Sequence, residues 1–304
     1  MTEPLVWLPF DPSELGEAPG GLRFEVVPTI DDVPDSVGDV AFYVPPYQVG
    51  PEVERVLSRM RSLRVVQLLS AGVDSVAPAI PDGVTLCNGR GIHDDSTAEF
   101  TLTLILASLR GVPRHVHDRD AQRWAPDWYP ALADKRVLLV GYGAIGRAIE
   151  ERLLPFRTEV VRVARSARDG VHGFDELPAL VPTADVVVLI VPLTEETRGL
   201  VDAGFLARMK DGALLVNMAR GPVVVTADLV EALATERIGA ALDVVDPEPL
   251  PEGHPLWRSP NLLLTPHVGG ASSAMWPRAH RLVRSQLERF ATGEPLANVM
   301  SGAY

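Results

Sequence analysis

The sequence predicts an α/β protein with two domains, each built on a doubly wound parallel sheet. Three observations lead to this fold class. Short apolar runs of strand length alternate with helical segments along most of the chain. A glycine-rich turn joins one of these runs to a helix near the middle of the sequence. The 304 residues are enough for two ordinary domains with sizeable cores.

The first part of the chain predicts a small α/β domain. Its five apolar runs are LVWL, FEVV, VAFYV, VVQLL and VTL. Proline-rich loops separate them, and residues 52–63 have the apolar spacing of one helix. The turn SAGVDSV, residues 70–76, directly follows the fourth run, where backbone N–H groups of an α/β sheet commonly meet a ligand.

A long apolar helix begins at Ser96 and marks a domain boundary. The segment STAEFTLTLILASLRGVPRHVHDRD opens with Ser96 and Glu99 in capping-box spacing. His93, Asp94 and Asp95 lie at the helix start, where negative charges interact favourably with the positive end of the helix dipole.

The loop after this helix is rich in aromatic residues. Trp124, Trp128 and Tyr129 stand among prolines in residues 121–133. Either these side chains pack on the long helix, or they cover a cleft or a partner subunit.

The next segment is the clearest motif of the sequence. The apolar run at residues 137–140 meets Gly141, Gly143 and Gly146 in the spacing G-x-G-x-x-G, and apolar residues at helical spacing follow. The glycines permit a tight turn, close approach of a pyrophosphate and close packing of helix on strand. Free N–H groups at the helix start would hold the phosphates. Because another apolar run follows at residues 160–164, we predict a Rossmann-type dinucleotide-binding unit rather than an unrelated tight turn.

The residues after that second run predict the cofactor. Proteins that bind NAD place an acidic residue there for the ribose hydroxyls, whereas this loop has Arg165, Ser166 and Arg168 and no carboxylate before Asp169. Guanidinium groups bind phosphate through paired hydrogen bonds. We therefore predict NADP (NADPH) in preference to NAD, with NAD still possible. The alternative is that these arginines are ordinary solvated charges.

The remaining sequence continues the alternation of strands and helices. Its apolar runs lie at residues 186–191, 214–216, 239–242 and 262–264, with helical segments such as residues 227–234 between them. The last helix, residues 274–291, is amphipathic and long enough to return the chain to the first domain. We predict a discontinuous substrate-binding domain of residues 1–95 and 275–304, and a dinucleotide-binding domain of residues 96–274.

Composition limits the partners and the compartment. The 28 Lys and Arg residues against 40 Asp and Glu give a net charge of −12, which disfavours nucleic acid as a partner. The single cysteine, Cys87, lies in an apolar run, as expected of a buried thiol in a reducing cytoplasm. No apolar run has membrane-spanning length, and the N-terminus lacks a basic leader. We assign no metal ligands.

Three loops at strand ends each offer one side chain suited to hydride transfer. These are Arg220 in NMARGPV, Glu248 in DVVDPEPLP and His267 in TPHVGGAS. Ligands of open α/β sheets bind beyond the carboxyl ends of the strands, so we expect the three loops to converge on a nicotinamide. Reduction of a 2-oxo acid needs a cation with paired N–H donors for the carboxylate, a group that polarises the carbonyl and a proton donor.

Each of these side chains has an alternative role. Arg220 would otherwise bond to loop carbonyls, and His267 would otherwise be a packed core histidine. Asp246 and Glu252 lie close to Glu248, so Glu248 would otherwise be one of several solvated rim charges. Two arguments favour catalytic roles. A carboxylate beside His267 would stabilise the imidazolium form. The arginine guanidinium forms paired hydrogen bonds with a carboxylate, which lysine cannot do.

The chain resembles the D-isomer-specific 2-hydroxyacid dehydrogenase family over nearly its whole length, least before about residue 65. The motifs that carry the resemblance are SAGVDSV, NGRGIHDDSTAEF, LVGYGAIG, VPLTEETRGLV, MKDGALLVNMARGPVV, ALDVVDPEP and TPHVGGAS. The resemblance implies that Arg220 binds the substrate carboxylate and carbonyl, that His267 is the acid/base and that Glu248 pairs with His267. It also implies a flavodoxin-like substrate domain.

The resemblance implies the remaining binding residues as well. The backbone of Ala71 and Gly72 would hold the substrate carboxylate, and Asp243 would contact the nicotinamide carboxamide. Family members are usually homodimers, and the long helix from Ser96 offers an apolar surface for that contact. The cofactor contacts that the motifs imply are Gly141, Gly143, Ala144, Ile145, Gly146, Arg165, Ser166, Arg168, Val191, Pro192, Thr197, Met218, Ala219, Asp243, His267, Gly269 and Gly270.

Within the family, the sequence favours an NADPH-dependent reductase of small 2-oxo acids such as glyoxylate or hydroxypyruvate. Phosphoglycerate dehydrogenases of the family carry basic residues where this chain has Val44, Pro45 and Pro46, which disfavours a phosphorylated substrate. Tyr47 either closes the pocket over the substrate's side chain or points outward.

Two other functions stay open. Some family members are corepressors that sense the nicotinamide state, but a sensor needs no proton donor and this chain has the Arg, Glu and His set. Relatives that oxidise formate or phosphite would favour NAD, which conflicts with Arg165.

Overall fold

The computed structural model describes residues 3–47 and 49–300. Residues 1, 2, 48 and 301–304, which fall in the predicted substrate-binding domain, lie outside the described residues. The chain divides into two compact units: unit 1 comprises Met1–His93 with Ser273–Tyr304, and unit 2 comprises Asp94–Ser272. Each unit contains one parallel sheet, so the predicted fold class is confirmed.

Unit 1 is built on a five-stranded sheet in the order β2-β1-β3-β4-β5. All neighbouring strands run parallel. Strands β1 and β3 are buried along their whole length, which is why they appear in the sequence as uninterrupted apolar runs. The strand bounds are β1 Leu5–Leu8, β2 Arg23–Val26, β3 Val40–Tyr43, β4 Val65–Gln67 and β5 Thr85–Cys87.

The helix predicted at residues 52–63 is much shorter than expected. Only α1, Glu54–Leu57, is α-helical, after a 3-10 turn at Pro51–Val53. The Ser58 N–H still bonds four residues back, to Glu54, but the N–H groups of Arg59 and Met60 bond three residues back. This tightening ends the α-helix, and Met60 and Leu63 both lie in the core.

The predicted C-terminal amphipathic helix is present at Met275–Thr292, as the last helix of the chain, α8. It packs on the sheet of unit 1 through Met275, Ala279, Val283 and Leu287. Its buried Gln286 donates from Nε2 to Gln67 Oε1 at 2.7 Å and to the Ala297 carbonyl at 2.8 Å. These bonds attach the C-terminal segment to strand β4.

Unit 2 contains a six-stranded parallel sheet in the order β11-β10-β9-β8-β6-β7. The strand order reverses at β6, between β7 on one side and β8 on the other, and such a switch point is where open α/β sheets bind ligands. The strand bounds are β6 Arg136–Val140, β7 Glu159–Val163, β8 Val186–Leu189, β9 Leu214–Asn217, β10 Gly239–Leu242 and β11 Leu262–Leu264. The helix bounds are α2 Asp94–Leu109, α3 Val112–Asp120, α4 Ala144–Leu153, α5 Leu177–Leu180, α6 Ala203–Arg208 and α7 Thr226–Ala234.

The predicted long helix is two helices. Helix α2 begins at Asp94 rather than Ser96, so the capping box was wrong: Asp94 and Asp95 fill the first turn, and Ser96 Oγ lies 2.6 Å from Ser272 Oγ. Gly111, at φ 63°, interrupts the helix before α3. A Cβ at Gly111 would overlap the ring of Tyr129, which packs there.

The apolar face of α2 is used inside its own unit. Ala98, Leu102, Ile105 and Leu109 lie in a core cluster with residues of β6 and α4. The helix therefore does not offer those side chains to a partner.

Two tryptophans of the following loop lie in solvent. Trp124 is 97% exposed and Trp128 is 98% exposed. Tyr129 instead packs on His115, with ring centroids 5.0 Å apart. Of the three aromatic residues, therefore, only Tyr129 packs on the helical segment, which was one of the two predicted alternatives.

Within the described ranges, no helix combines the length and apolar character needed to cross a membrane.

Candidate active site

The glycine turn between β6 and α4 has the shape of a phosphate cradle. Gly141 has φ 112°, a conformation that favours glycine. A Cβ at Gly146 would overlap the Gly141 carbonyl oxygen, so α4 can start this close to β6 only with glycine. A Cβ at Gly143 would meet nothing within 4 Å. The open space lies at the start of α4, where Ala144 and Ile145 occupy the positive end of the helix dipole, so these residues fit a pyrophosphate.

A polar cluster supports this turn. The Tyr142 hydroxyl and the Arg162 guanidinium both donate to the buried carboxylate of Glu150 on α4. Burial opposes ionisation of Glu150, but these bonds and the charge of Arg162 outweigh burial and lower its pKa. Arg168 Nη2 donates to the Tyr142 carbonyl oxygen at 3.0 Å, so a predicted phosphate-binding arginine lies at the glycine turn. The sequence patterns did not indicate Glu150 or Arg162.

Arg165 and Ser166 follow β7 and are both exposed. Arg165 Nε donates to Glu196 Oε2 at 2.8 Å. A carboxylate therefore stands beside the predicted phosphate ligand, although the sequence places none in that loop before Asp169. Sequence reasoning missed Glu196 because it lies 31 residues further on, in the loop after β8.

The predicted cofactor residues after β8 shape their own loop. The Thr197 hydroxyl donates to the Pro192 carbonyl at 2.6 Å and accepts the Thr194 N–H at 2.8 Å. Thr197 is 2% exposed and Val191 is 5% exposed. Both side chains therefore fix the course of the loop.

The loop after β9 holds Arg220, and Asn217 shapes it. Asn217 Nδ2 donates to the Arg220 carbonyl, and its Oδ1 accepts the Ala219 N–H, both at 3.0 Å. Arg220 Nη1 donates to the Ala219 carbonyl at 2.8 Å. A Cβ at Gly221 would overlap the Val245 carbonyl, so the loops after β9 and β10 run in direct contact. The predicted cofactor residues Met218 and Ala219 begin this loop and are buried.

His267 and Glu248 form a hydrogen-bonded pair, with His267 Nδ1 2.5 Å from Glu248 Oε1. Partial burial opposes ionisation of Glu248, but the bond from His267, the charges of His267 and Arg220 and a backbone bond at Val245 outweigh burial and lower the pKa of Glu248. An ionised carboxylate accepts only, so His267 Nδ1 is the donor. Nε2 is then the ring nitrogen that can exchange a proton with a ligand.

Asp243, the residue after β10, locks the loop that carries His267. Its carboxylate is buried and accepts the Thr265 hydroxyl at 2.6 Å and the N–H groups of Val268 at 3.0 Å and Gly269 at 2.8 Å. His267 has φ 54°, and its N–H donates to the Asp243 carbonyl at 2.8 Å. Gly269 packs tightly on Asp243, and Gly270 follows it in the same turn. The sequence did not reveal this holding role.

Three predicted substrate-binding residues lie in unit 1. Ser70 Oγ donates to the Gly72 carbonyl at 2.8 Å, and Asn88 Nδ2 donates to the Ala71 carbonyl at 3.0 Å, so side chains fix the turn after β4. The ring of Tyr47 lies against that of His93, with centroids 5.5 Å apart. His93 Nε2 is 2.8 Å from the Leu69 carbonyl, immediately before the turn.

In unit 2, the cofactor residues and the Arg, Glu and His set all follow the carboxyl ends of strands of one sheet. An open cradle at a helix start, with a carboxylate–imidazole pair and a guanidinium at the same edge of the sheet, is the arrangement of nucleotide-dependent α/β oxidoreductases.

Comparison with known proteins gives the family. The family model described as D-isomer specific 2-hydroxyacid dehydrogenase, NAD binding domain, matches residues 102–269. The glyoxylate reductase of Thermofilum pendens is 35% identical over 254 residues, which cover 79% of this chain and 75% of that protein. The chain belongs to the D-isomer specific 2-hydroxyacid dehydrogenase family, an oxidoreductase family that uses a nicotinamide cofactor, and the resemblance is confirmed.

Solved structures agree over the whole chain. The D-isomer specific 2-hydroxyacid dehydrogenase from Xanthobacter autotrophicus, in complex with NADPH and MES, has a TM-score of 0.82 and 30% identity, covering 99% of this chain and 98% of that one. The NADPH-dependent glyoxylate/hydroxypyruvate reductase from Sinorhizobium meliloti, in complex with NADP and sulfate, has a TM-score of 0.83 and 28% identity, covering 98% of both chains.

Proposed function

We propose that this protein is an NADPH-dependent reductase that converts small 2-oxo acids, of the size of glyoxylate and hydroxypyruvate, to D-2-hydroxy acids. The observation that carries the proposal is the bond between His267 and Glu248, close enough to Arg220 for its charge to lower the pKa of Glu248. A binding protein that only sensed nicotinamide would need no such proton donor. The names of the relatives from T. pendens and S. meliloti support the substrate class.

The residues of this chain divide the chemistry among them. The bound reduced nicotinamide supplies the hydride to the 2-carbon of the substrate. Arg220 binds the substrate carboxylate and polarises the 2-carbonyl oxygen. His267 Nε2 gives that oxygen its proton, and Glu248 stabilises the imidazolium from Nδ1. In the reverse direction, neutral His267 accepts the proton from the hydroxy acid.

Cofactor and substrate binding follow the assignments made from the sequence. The glycine turn and the start of α4 would hold the pyrophosphate, and Arg165, Ser166 and Arg168 the 2′-phosphate. The loops at residues 191–197, 218–219, 243 and 267–270 would line the nicotinamide side. Ala71, Gly72 and Tyr47 would contact the substrate. The NAD-binding family model over residues 102–269 supports residues 96–274 as the dinucleotide domain, with residues 1–95 and 275–304 as the substrate-binding domain.

We also propose a cytoplasmic homodimer. Cys87 is a buried free thiol, and burial raises its pKa to about 11, which suits a reducing compartment. The two solvent-exposed tryptophans, Trp124 and Trp128, are the apolar side chains we assign to the subunit contact.

The test is a series of rates. NADPH and NADH oxidation is followed with glyoxylate, hydroxypyruvate, pyruvate and bulkier 2-oxo acids, and the configuration of the product is determined. We expect turnover with the small acids, higher kcat/KM with NADPH and a D-product. Absence of turnover with every acid would overturn the proposal, whereas equal rates with NADH would remove only the cofactor preference.

A further inference from the structure

We infer that Glu196 sets the selectivity between NADPH and NADH, because it shares Arg165 with the 2′-phosphate and weakens binding of that phosphate. The inference rests on the proposed function, in which Arg165 is a phosphate ligand.

The position of Glu196 follows from the strand order. Arg165 lies in the loop after β7, and Glu196 lies in the loop after β8. Strand β6 stands between β7 and β8 in the sheet and ends at the glycine turn. The ion pair between Arg165 and Glu196 therefore links the two loops that flank the turn for the pyrophosphate.

The charge of Glu196 has opposite effects on the two cofactors. A phosphate dianion on Arg165 would meet a carboxylate that already accepts from Nε of the same guanidinium, so the two anions repel each other. A ribose 2′-hydroxyl at the same place can donate a hydrogen bond to that carboxylate. Glu196 thus supplies the acceptor that the loop after β7 lacks, and it favours NADH relative to NADPH.

The ion pair between Arg165 and Glu196 is exposed enough for a bound phosphate to rearrange it. The Arg165 and Glu196 side chains are 57% and 53% exposed, and an exposed ion pair is weak enough for a ligand to rearrange it. Arg168 differs, since its contact is with the Tyr142 carbonyl rather than with a carboxylate. Arg168 therefore attracts the 2′-phosphate without a neighbouring carboxylate to oppose it. Glu196 reduces only the attraction between Arg165 and the 2′-phosphate.

Direct binding tests the inference without turnover. The probes are adenosine 2′,5′-bisphosphate and adenosine 5′-monophosphate, titrated by calorimetry into the wild type and Glu196→Gln. The matched control is Glu195→Gln, which removes the same charge from the neighbouring exposed residue. We expect Glu196→Gln to bind the bisphosphate about five-fold more tightly, the effect of one unit charge at a few ångströms in water, and the monophosphate no more tightly. Glu195→Gln should change both affinities by less than about two-fold.

A double substitution shows whether the effect passes through Arg165. In an Arg165→Gln background, Glu196→Gln should favour the bisphosphate by less than it does in the wild type, because Arg165 no longer holds the carboxylate and the phosphate close together. Equal effects of the two glutamate variants, or weaker bisphosphate binding in Glu196→Gln, would overturn the inference.

Rates separate this inference from the proposed function. The ratio of kcat/KM for NADPH to that for NADH should rise about five-fold in Glu196→Gln. If the wild type reduces 2-oxo acids but this ratio stays unchanged, the inference alone fails. If the wild type reduces no 2-oxo acid, the proposed function fails as well.

Discussion

In the proposed mechanism, Arg220 acts through the planar shape of its guanidinium as well as through its charge. We expect Arg220→Lys to lower kcat/KM for the 2-oxo acid about a hundred-fold or more, because an ammonium keeps the charge but loses the paired hydrogen bonds to carboxylate and carbonyl. The measurement is the reductive rate at varied substrate concentration, with cofactor affinity measured by fluorescence titration. Arg198→Lys, at an exposed position, is the matched control. Near-normal kcat/KM in Arg220→Lys would remove Arg220 from the substrate site.

In the proposed mechanism, Glu248 stabilises the protonated form of His267, which delivers the proton. The pKa of Glu248 is lowered, so its carboxylate stays ionised through the ordinary glutamate range. Reductive activity that depends on this charge should be lost only as pH falls through the lowered value.

Glu248→Gln keeps an acceptor but removes the charge that stabilises the imidazolium. We expect reductive kcat/KM near neutrality to fall about ten- to a hundred-fold, because the protonated ring loses its charged partner. The kcat/KM of Glu252→Gln, in the same loop, should match that of the wild type. An undiminished kcat/KM in Glu248→Gln would show that the carboxylate does not act on His267.

At the scale of elements, the turn between β6 and α4 contains one glycine that packing requires and another that we assign to cofactor binding. A Cβ at Gly143 would enter open space, whereas a Cβ at Gly146 would overlap the Gly141 carbonyl oxygen. Gly143→Ala should therefore keep the wild-type midpoint of urea unfolding and lose about ten-fold or more in dinucleotide affinity. Gly146→Ala should lower the free energy of unfolding by about 1–3 kcal/mol. Unaltered dinucleotide binding by Gly143→Ala would place the pyrophosphate elsewhere.

The elements that sequence predicts well are those with a strong local signal. Buried parallel strands such as β1 and β8 are continuous apolar runs, and the glycine spacing marks the turn before α4. Helix ends were less predictable. The break before α3 lies at Gly111, which has a positive φ and is followed two residues later by Pro113, and the ring of Tyr129 packs against that glycine.

The same distinction applies to the site. Arg220, Glu248 and His267 each stand at a strand end within a recognisable motif, which is why the sequence suggested them. Glu196 and Asn217 act through loops whose contacts form only on folding, and no spacing in the sequence links Glu196 to Arg165.

For the whole molecule, the exposed tryptophans make the proposed dimer testable. We expect the wild type to sediment as a dimer and the double variant Trp124→Ser/Trp128→Ser as a monomer, because two large apolar surfaces that are nearly fully exposed are lost from the contact. The control is Leu154→Ser, another exposed apolar side chain of unit 2, which should remain dimeric. A double variant that still sediments as a dimer would place the subunit contact elsewhere.

The central claim for the whole molecule is that the dinucleotide-binding unit reduces a 2-oxo acid with His267 as the proton donor. The most direct test is NADPH oxidation with glyoxylate and hydroxypyruvate by the wild type and His267→Gln, alongside calorimetric titration of NADPH. We predict turnover by the wild type and a loss of about a thousand-fold in His267→Gln, with NADPH affinity retained within a few-fold. Undiminished turnover in His267→Gln, or none in the wild type with either acid, would contradict the account.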